Sequence, residues 1–126
     1  MTKIFNLDNP APFVSAKSWL MMNIETKEVM FAKQETVQRQ VASLTKVVTM
    51  CVVLDLLEKY NLDPLLTKVN ILESSTTPFL GGTSAELLPG DKISVQELLY
   101  GMMLPSGNDA AQSLAIFFGN LMLQLK

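Results

Sequence analysis

The stretch QVASLTKVVTMCVVLDLLEKY, residues 40–60, places a serine and a lysine at the head of a long apolar run. From Ser43 to Lys59 the residues are apolar nearly all round. The length of this segment and the charged pair Glu58–Lys59 at its end favour a helix, although its four valines leave a β-strand as the alternative. Because a helix without a polar face is usually enclosed by other elements, we expect this helix to be buried. Cys51 lies within it and is expected to be a small core residue.

Ser43 and Lys46 occupy the start of this segment and allow two interpretations. Serine often caps a helix, so Ser43 could be an N-cap followed by a solvated lysine. A capping box, however, has Glu or Gln three residues after the cap, and a cation there opposes the helix dipole. Apolar neighbours also disfavour the charged ammonium. A neutral Lys46 amine beside the Ser43 hydroxyl is an activated nucleophile with its base, but Ser-x-x-Lys alone is common by chance.

A second motif lies in the stretch MLPSGNDAA, residues 103–111. Ser106 and Asn108 flank a glycine in a predicted turn between two helices, where such residues are ordinary turn formers. The alternative is that the turn presents a hydroxyl and an amide to a cleft. Ser-x-Asn by itself is also a weak signal.

Composition excludes several classes of function. Hydrophobic residues make up 48% and charged residues 17% of the 126, which favours one packed domain. The net charge is −2 and no Lys/Arg cluster occurs, so nucleic-acid binding has no electrostatic support. The absence of histidine excludes Ser-His-Asp and Cys-His catalysis and His-ligated metals, and we expect no metal and no cofactor. A single cysteine cannot form an internal disulfide.

The remaining chain has a mixed pattern of strands and helices. Trp19 to Ile24 and Val29 to Ala32 predict a β-hairpin, and 68–74 a short extended segment. Residues 76–90 are loop-like. Ser94, with Glu97 three residues on, predicts a capping box for a helix over 95–103. A last helix is predicted from 109 to about 118, stopped by the Gly-Asn pair at 119–120.

No targeting or membrane segment is apparent. The first 13 residues lack the apolar region and cleavage pattern of a signal peptide. The longest apolar run, residues 47–57, is broken by Asp55 and is shorter than the ~20 residues that span a bilayer. We therefore expect no transmembrane segment, and the compartment stays undecided.

In this order and at this separation, Ser-x-x-Lys and Ser-x-Asn are two of the three motifs of penicillin-binding proteins and class A β-lactamases. The stretches ASLTKVVT (42–49) and LLPGDKISVQELLYGMMLPSGNDAAQSLA (87–115), with Gly82-Thr83-Ser84, resemble the serine D-alanyl-D-alanine carboxypeptidases of the peptidase S11 family, the low-molecular-mass penicillin-binding proteins. The resemblance covers roughly residues 15–118. It implies an α/β fold of the α+β type, β-lactamase/transpeptidase-like, with residues 1–14 irregular and 15–126 forming part of the catalytic domain.

The resemblance also implies roles for four residues. Ser43 is expected to be the acyl-enzyme nucleophile, Lys46 the base that takes its proton, and Ser106 a proton relay to the leaving D-alanine nitrogen. Asn108 is expected to bind the substrate backbone and to hold Lys46. The implied ligands are peptidoglycan stem peptides and β-lactams, and the family is extracytoplasmic.

The third motif, Lys-Thr-Gly, is absent from the 126 residues, and the sequence departs from the family pattern after Asn120. In the family this motif lies on a later strand, where it holds the substrate carboxylate. The sequence thus predicts the helical part of the fold and two strands of a sheet of about five, with apolar surface left open. Either a missing C-terminal portion or a partner chain is implied, and we expect poor activity or none. A non-catalytic interaction module and a β-lactamase or esterase relative remain as alternatives, although Gly107 suits the carboxypeptidases better.

Overall fold

The computed structural model describes residues 14–76 and 81–124. The chain divides into two compact units, residues 1–40 and 41–126. The expected irregular segment 1–14 lies, except for Val14, outside the described residues. The assignment of residues 15–126 to one partial catalytic domain stays a prediction.

The first unit contains the predicted hairpin. Strand β1, Trp19–Met22, pairs antiparallel with β2, Val29–Lys33. The side-chain oxygen of Asn23 organises the turn, since it accepts hydrogen bonds from the backbone N–H groups two and three residues further on. Large apolar side chains of both strands are exposed, as expected for a two-stranded sheet: Leu20, Met21, Met22, Val29 and Met30.

The second unit is mainly helical. It consists, in chain order, of a 3₁₀ turn at Ala42–Leu44, α1 (Thr45–Lys59), β3 (Lys68–Asn70), α2 (Glu73–Thr76), β4 (Lys92–Ser94), α3 (Val95–Met103) and α4 (Asn108–Gln124). Strands β3 and β4 form a small antiparallel sheet. The core lies where α1, α3 and α4 meet, around Val53, Leu57, Leu98, Met102, Ala110, Leu114 and Phe118.

Helix α3 has the predicted bounds because its capping box forms. The Ser94 hydroxyl accepts from the Glu97 N–H, and the Glu97 carboxylate accepts from the Ser94 N–H. The predicted end of α4 near residue 118 is wrong, since the helix runs through Gly119 to Gln124. Glycine inside a helix costs only about 1 kcal/mol, and Leu121 packs against the core beyond it.

The small sheet was only half predicted. The extended segment expected over 68–74 contains β3 but ends earlier, because Glu73 begins the short helix α2. Strand β4 was not predicted, since it is three residues long and directly precedes the helix cap.

Helix α1 is mostly exposed, so the expectation that it is buried is wrong. Only Val53 and Leu57 are buried, whereas Leu44 and Val48 are 67% and 63% exposed. Cys51 is also exposed and is not a core residue. The reason is that α3 and α4 pack on one side of α1, while apolar residues continue round the helix. The open apolar surface that the absence of a complete sheet predicts is therefore present.

Candidate active site

Ser43 lies on the 3₁₀ turn that precedes α1 and does not cap that helix. The N-cap position of α1 is Leu44, with no side-chain cap hydrogen bond. The N-cap interpretation of Ser43 is therefore wrong. Its exposed hydroxyl instead accepts a hydrogen bond from Lys46, whose Nζ lies 3.3 Å from Ser43 Oγ.

Lys46 contacts the other three residues that the sequence singled out. Besides Ser43, its Nζ lies 3.2 Å from Ser106 Oγ and 2.6 Å from Asn108 Oδ1. Lys46 is partly buried. It therefore lies between the solvated lysine of the first interpretation and the lysine surrounded by apolar residues of the second. A lysine ammonium has three donors, and these three oxygens match them in number. The contact between Lys46 Nζ and Ser43 Oγ would equally allow a neutral amine to accept the hydroxyl proton.

A loop of residues 81–87 holds the Ser106–Asn108 turn in place. The Asn108 amide donates from Nδ2 to the Gly81 carbonyl at 2.6 Å, and its backbone N–H donates to the Thr83 carbonyl at 2.8 Å. The Thr83 hydroxyl donates to the Ser106 carbonyl at 2.5 Å. Ser106 itself has φ of 61°, in the left-handed region that non-glycine residues rarely adopt. The turn is therefore strained, and three hydrogen bonds from one loop hold it.

Gly107 is required by packing rather than by its backbone angle. A Cβ atom at this position would lie 2.7 Å from the Gly101 carbonyl oxygen and 2.7 Å from Asp109 Oδ1. It would also lie 2.9 Å from Ala85 Cβ. No side chain fits between these atoms, which accounts for the glycine at the centre of Ser-Gly-Asn.

Asp109 belongs to this arrangement, although the sequence suggested only that it opens the last helix. Its side chain is 5% exposed and accepts hydrogen bonds from the Ser84 hydroxyl and the Ala85 and Leu87 N–H groups. Burial raises the pKa of Asp109, but the hydrogen bonds, led by those of Ala85 and Ser84, outweigh it and hold the pKa below its ordinary value. The one sequence signal was an acidic residue directly after Ser-Gly-Asn.

The arrangement supports acyl transfer by a serine. A hydroxyl beside an amine is a nucleophile with its base, and a second hydroxyl on the same amine can pass the proton onward. Among residues 14–76 and 81–124 there is no cluster of three or more His, Cys, Asp or Glu residues suited to a metal. None of the described helices is long and apolar enough to cross a membrane.

Comparison with known proteins agrees with this geometry. The family model of D-alanyl-D-alanine carboxypeptidase, peptidase S11, matches residues 6–120. The D-alanyl-D-alanine carboxypeptidase of Streptomyces sp. (strain K15) is 37% identical over 111 residues, which are 86% of this chain and 37% of the relative.

Two solved structures share the fold. The D-alanyl-D-alanine carboxypeptidase DacD of Francisella tularensis superposes with a TM-score of 0.78 at 34% identity, over 89% of this chain and 27% of that one. Penicillin binding protein 6B of Escherichia coli does so with a TM-score of 0.76 at 32% identity, over 88% and 36%. The predicted fold class is confirmed, and the part of the fold present is the hairpin and the helical subdomain. The chain spans little more than a third of these relatives at most, and it belongs to the D-alanyl-D-alanine carboxypeptidase family.

Proposed function

We propose that this chain carries the acyl-transfer half of a serine-type D-alanyl-D-alanine carboxypeptidase. The observation that carries the proposal is the convergence of Ser43 Oγ, Ser106 Oγ and Asn108 Oδ1 on the Lys46 amine, at 3.3, 3.2 and 2.6 Å. Substrates of the proposed reaction are stem peptides of peptidoglycan that end in D-alanyl-D-alanine. β-Lactams acylate the same serine in this proposal, which is in keeping with a relative described as a penicillin binding protein.

The reaction begins with proton transfer from the Ser43 hydroxyl to the neutral Lys46 amine. Ser43 Oγ then forms a bond to the carbonyl carbon of the penultimate D-alanine, and the peptide C–N bond breaks. The proton passes from Lys46 through the Ser106 hydroxyl to the leaving nitrogen, so that free D-alanine departs. Water afterwards hydrolyses the ester, which releases the shortened peptide and restores Ser43.

Asn108 has capacity for both of its proposed tasks. Its Oδ1 accepts from Lys46 and one N–H of its amide donates to the Gly81 carbonyl. An amide side chain has a second N–H and a second lone pair, which leaves groups for the backbone of a bound peptide. Asn108 therefore holds the base and contributes to substrate binding at the same time.

The 126 residues contain no Lys-Thr-Gly, so two parts of a full catalytic centre have no counterpart among them. By resemblance, that motif holds the substrate carboxylate and its strand supplies an oxyanion donor. The backbone N–H of Ser43 is the proposed remaining oxyanion donor. The loss of one such donor typically costs ~10²–10³ in rate, so slow acylation is expected of this chain.

The test is release of D-alanine from diacetyl-L-lysyl-D-alanyl-D-alanine. We expect slow release, and none from the matched peptide that ends in L-alanine. Ser43→Ala should abolish the release. Equal release by the Ser43→Ala variant, or no release from either peptide, would overturn the proposal.

A non-catalytic interaction module is the second candidate, and the exposed apolar side of α1 favours it. Such a surface on a soluble domain usually marks an interaction site. The same assay separates the two candidates, since a module without catalysis releases no D-alanine, whether Ser43 is present or replaced by alanine.

A further inference from the structure

The carboxylate of Asp109 is the most heavily hydrogen-bonded side-chain group near the site, yet it forms no hydrogen bond with the four proposed site side chains. Oδ1 lies 2.8 Å from the Ala85 nitrogen and 2.9 Å from the Ala110 nitrogen. Oδ2 lies 2.7 Å from Ser84 Oγ and 3.1 Å from the Leu87 nitrogen. A buried carboxylate with this many donors fixes the backbone that supplies them.

Three of these four donors belong to the far end of the same loop that holds the Ser106–Asn108 turn, and the fourth, the Ala110 N–H, belongs to α4. Ser84, Ala85 and Leu87 donate to Asp109, whereas Gly81 and Thr83 bind the turn. The loop is thus attached at both ends to one short segment of chain, 106–109. If the contacts to Asp109 are lost, Gly81 and Thr83 lose the support that fixes them relative to the turn.

The turn needs such support because it is strained. Ser106 has φ of 61°, and a non-glycine residue in this region persists only where its surroundings hold it there. Loop residue Glu86, between the donors to Asp109, also has a positive φ of 58°. Relaxation of either strained residue would move the Ser106 hydroxyl or the Asn108 amide away from Lys46.

We propose that Asp109 is a positioning residue of this site: through the 81–87 loop it fixes Ser106 and Asn108 at the distances that Lys46 requires. The inference rests on the proposed function for its effect on acylation, but its structural part stands on the contacts alone. Asp109 touches neither the nucleophile nor the base, so its removal affects catalysis through geometry.

Asp109→Asn is the sharpest variant because it keeps the side-chain shape. Whichever oxygen the amide nitrogen replaces, it faces backbone N–H groups, so two donors oppose each other. Asp91→Asn is the matched control, since Asp91 accepts from the Leu88 N–H just beyond the loop but contacts neither the turn nor Asp109. Ser84→Ala removes one of the donors to Asp109, together with the acceptor of the Glu86 N–H, and provides a milder variant if Asp109→Asn does not fold.

Two readouts are measured on the full 126-residue chain. The first is the NMR signal of the Lys46 side chain (¹³Cε and ¹Hε), with amide exchange at Leu98, Met102 and Leu114 as the check that the core is intact. The second is the rate at which a fluorescent penicillin labels Ser43. The NMR signal requires no reaction, so it decides the positioning role even if the wild-type chain is never labelled, an outcome that counts against the proposed function only.

With the core intact, we expect Asp109→Asn to shift the Lys46 signal and to lower the labelling rate by about 10- to 100-fold, as ~1 Å misplacements do. Ser84→Ala should change both in the same direction by less, and Asp91→Asn should change neither. A Lys46 signal that is identical in Asp109→Asn, Ser84→Ala and the wild type would overturn the proposal. So would equal shifts in Asp109→Asn and Asp91→Asn.

Discussion

Lys46 Nζ lies 2.6 Å from Asn108 Oδ1, and the two residues are 62 positions apart in the chain. This hydrogen bond joins the first turn of α1 to the first residue of α4. It is the shortest of the three bonds that Lys46 makes. The site is thus formed by tertiary packing, and substitutions on either helix should affect the same chemistry.

Asn108→Ala should lower the rate of Ser43 acylation by about 10²-fold, because it frees the Lys46 amine and removes the bond to Gly81. Asn108→Asp should also lower this rate, because it keeps an acceptor for Lys46 but loses the donor to the Gly81 carbonyl. Labelling by a fluorescent penicillin measures both rates. Wild-type rates in both variants would show that Asn108 does not hold the base.

Gly107→Ala should destabilise the chain by about 1–3 kcal/mol, since its Cβ has no room against Gly101 and Ala85. The free energy of unfolding in urea measures this. Gly119→Ala is the matched control, because nothing lies within 4 Å of a Cβ there and the position is helical. That control should gain about 0.5–1 kcal/mol. Equal effects of the two substitutions would contradict the packing account of the Ser-Gly-Asn motif.

Stability should fall in acid partly because Glu97 titrates. The hydrogen bonds from the Ser94 hydroxyl and backbone N–H, and to a smaller extent Lys68, hold the pKa of Glu97 below its ordinary value of 4.5. Because the folded-state pKa is the lower one, the stabilisation is complete above pH 4.5 and is lost as the pH falls through the folded-state pKa.

Glu97→Gln is the test of that pH effect, since glutamine also completes a capping box but does not titrate. Unfolding free energies between pH 3 and pH 7 should depend less on pH in this variant than in the wild type. The low pKa of Asp109 contributes in the same range and is common to both proteins. Identical pH dependence in the two would mean that the capping box does not depend on the charge of Glu97.

The exposed side of α1 should tolerate polar substitution where the core does not. Val52 is 50% exposed and Val53 is 3% exposed, so Val52→Ser and Val53→Ser differ in burial but share chemistry and helix propensity. We expect Val52→Ser to change the unfolding free energy by less than about 0.5 kcal/mol and Val53→Ser to cost about 2 kcal/mol or more. Equal costs would indicate that the described packing of α1 is wrong.

The sequence predicted that Ser43, Lys46, Ser106 and Asn108 meet, because they lie in two short motifs that occur in this order in one family. It also predicted the hairpin and α3, whose signals are local: two apolar strand-like segments on either side of a polar turn, and a capping box at Ser94. These features depend on residues only a few positions apart.

The features that were missed depend on distant partners. Asp109 meets donors 22 to 25 residues earlier in the chain, and no local pattern announces that contact. The prediction that α1 is buried was wrong, because apolar residues on every side of a helix do not show which other elements pack against it. The end of α4 was wrong because Leu121 packs on the core beyond Gly119, so tertiary contacts outweigh a local stop signal.

Peptide-mapping mass spectrometry can locate the covalent adduct that a penicillin forms with the chain, and so tests directly whether Lys46 activates Ser43. We expect one adduct, on the peptide that contains Ser43, formed slowly by the wild type. We expect no adduct in Ser43→Ala and a rate at least about 10²-fold lower in Lys46→Met, which removes the base but keeps the length of the side chain. An adduct that persists in Ser43→Ala, or wild-type rates in Lys46→Met, would show that Lys46 does not activate Ser43.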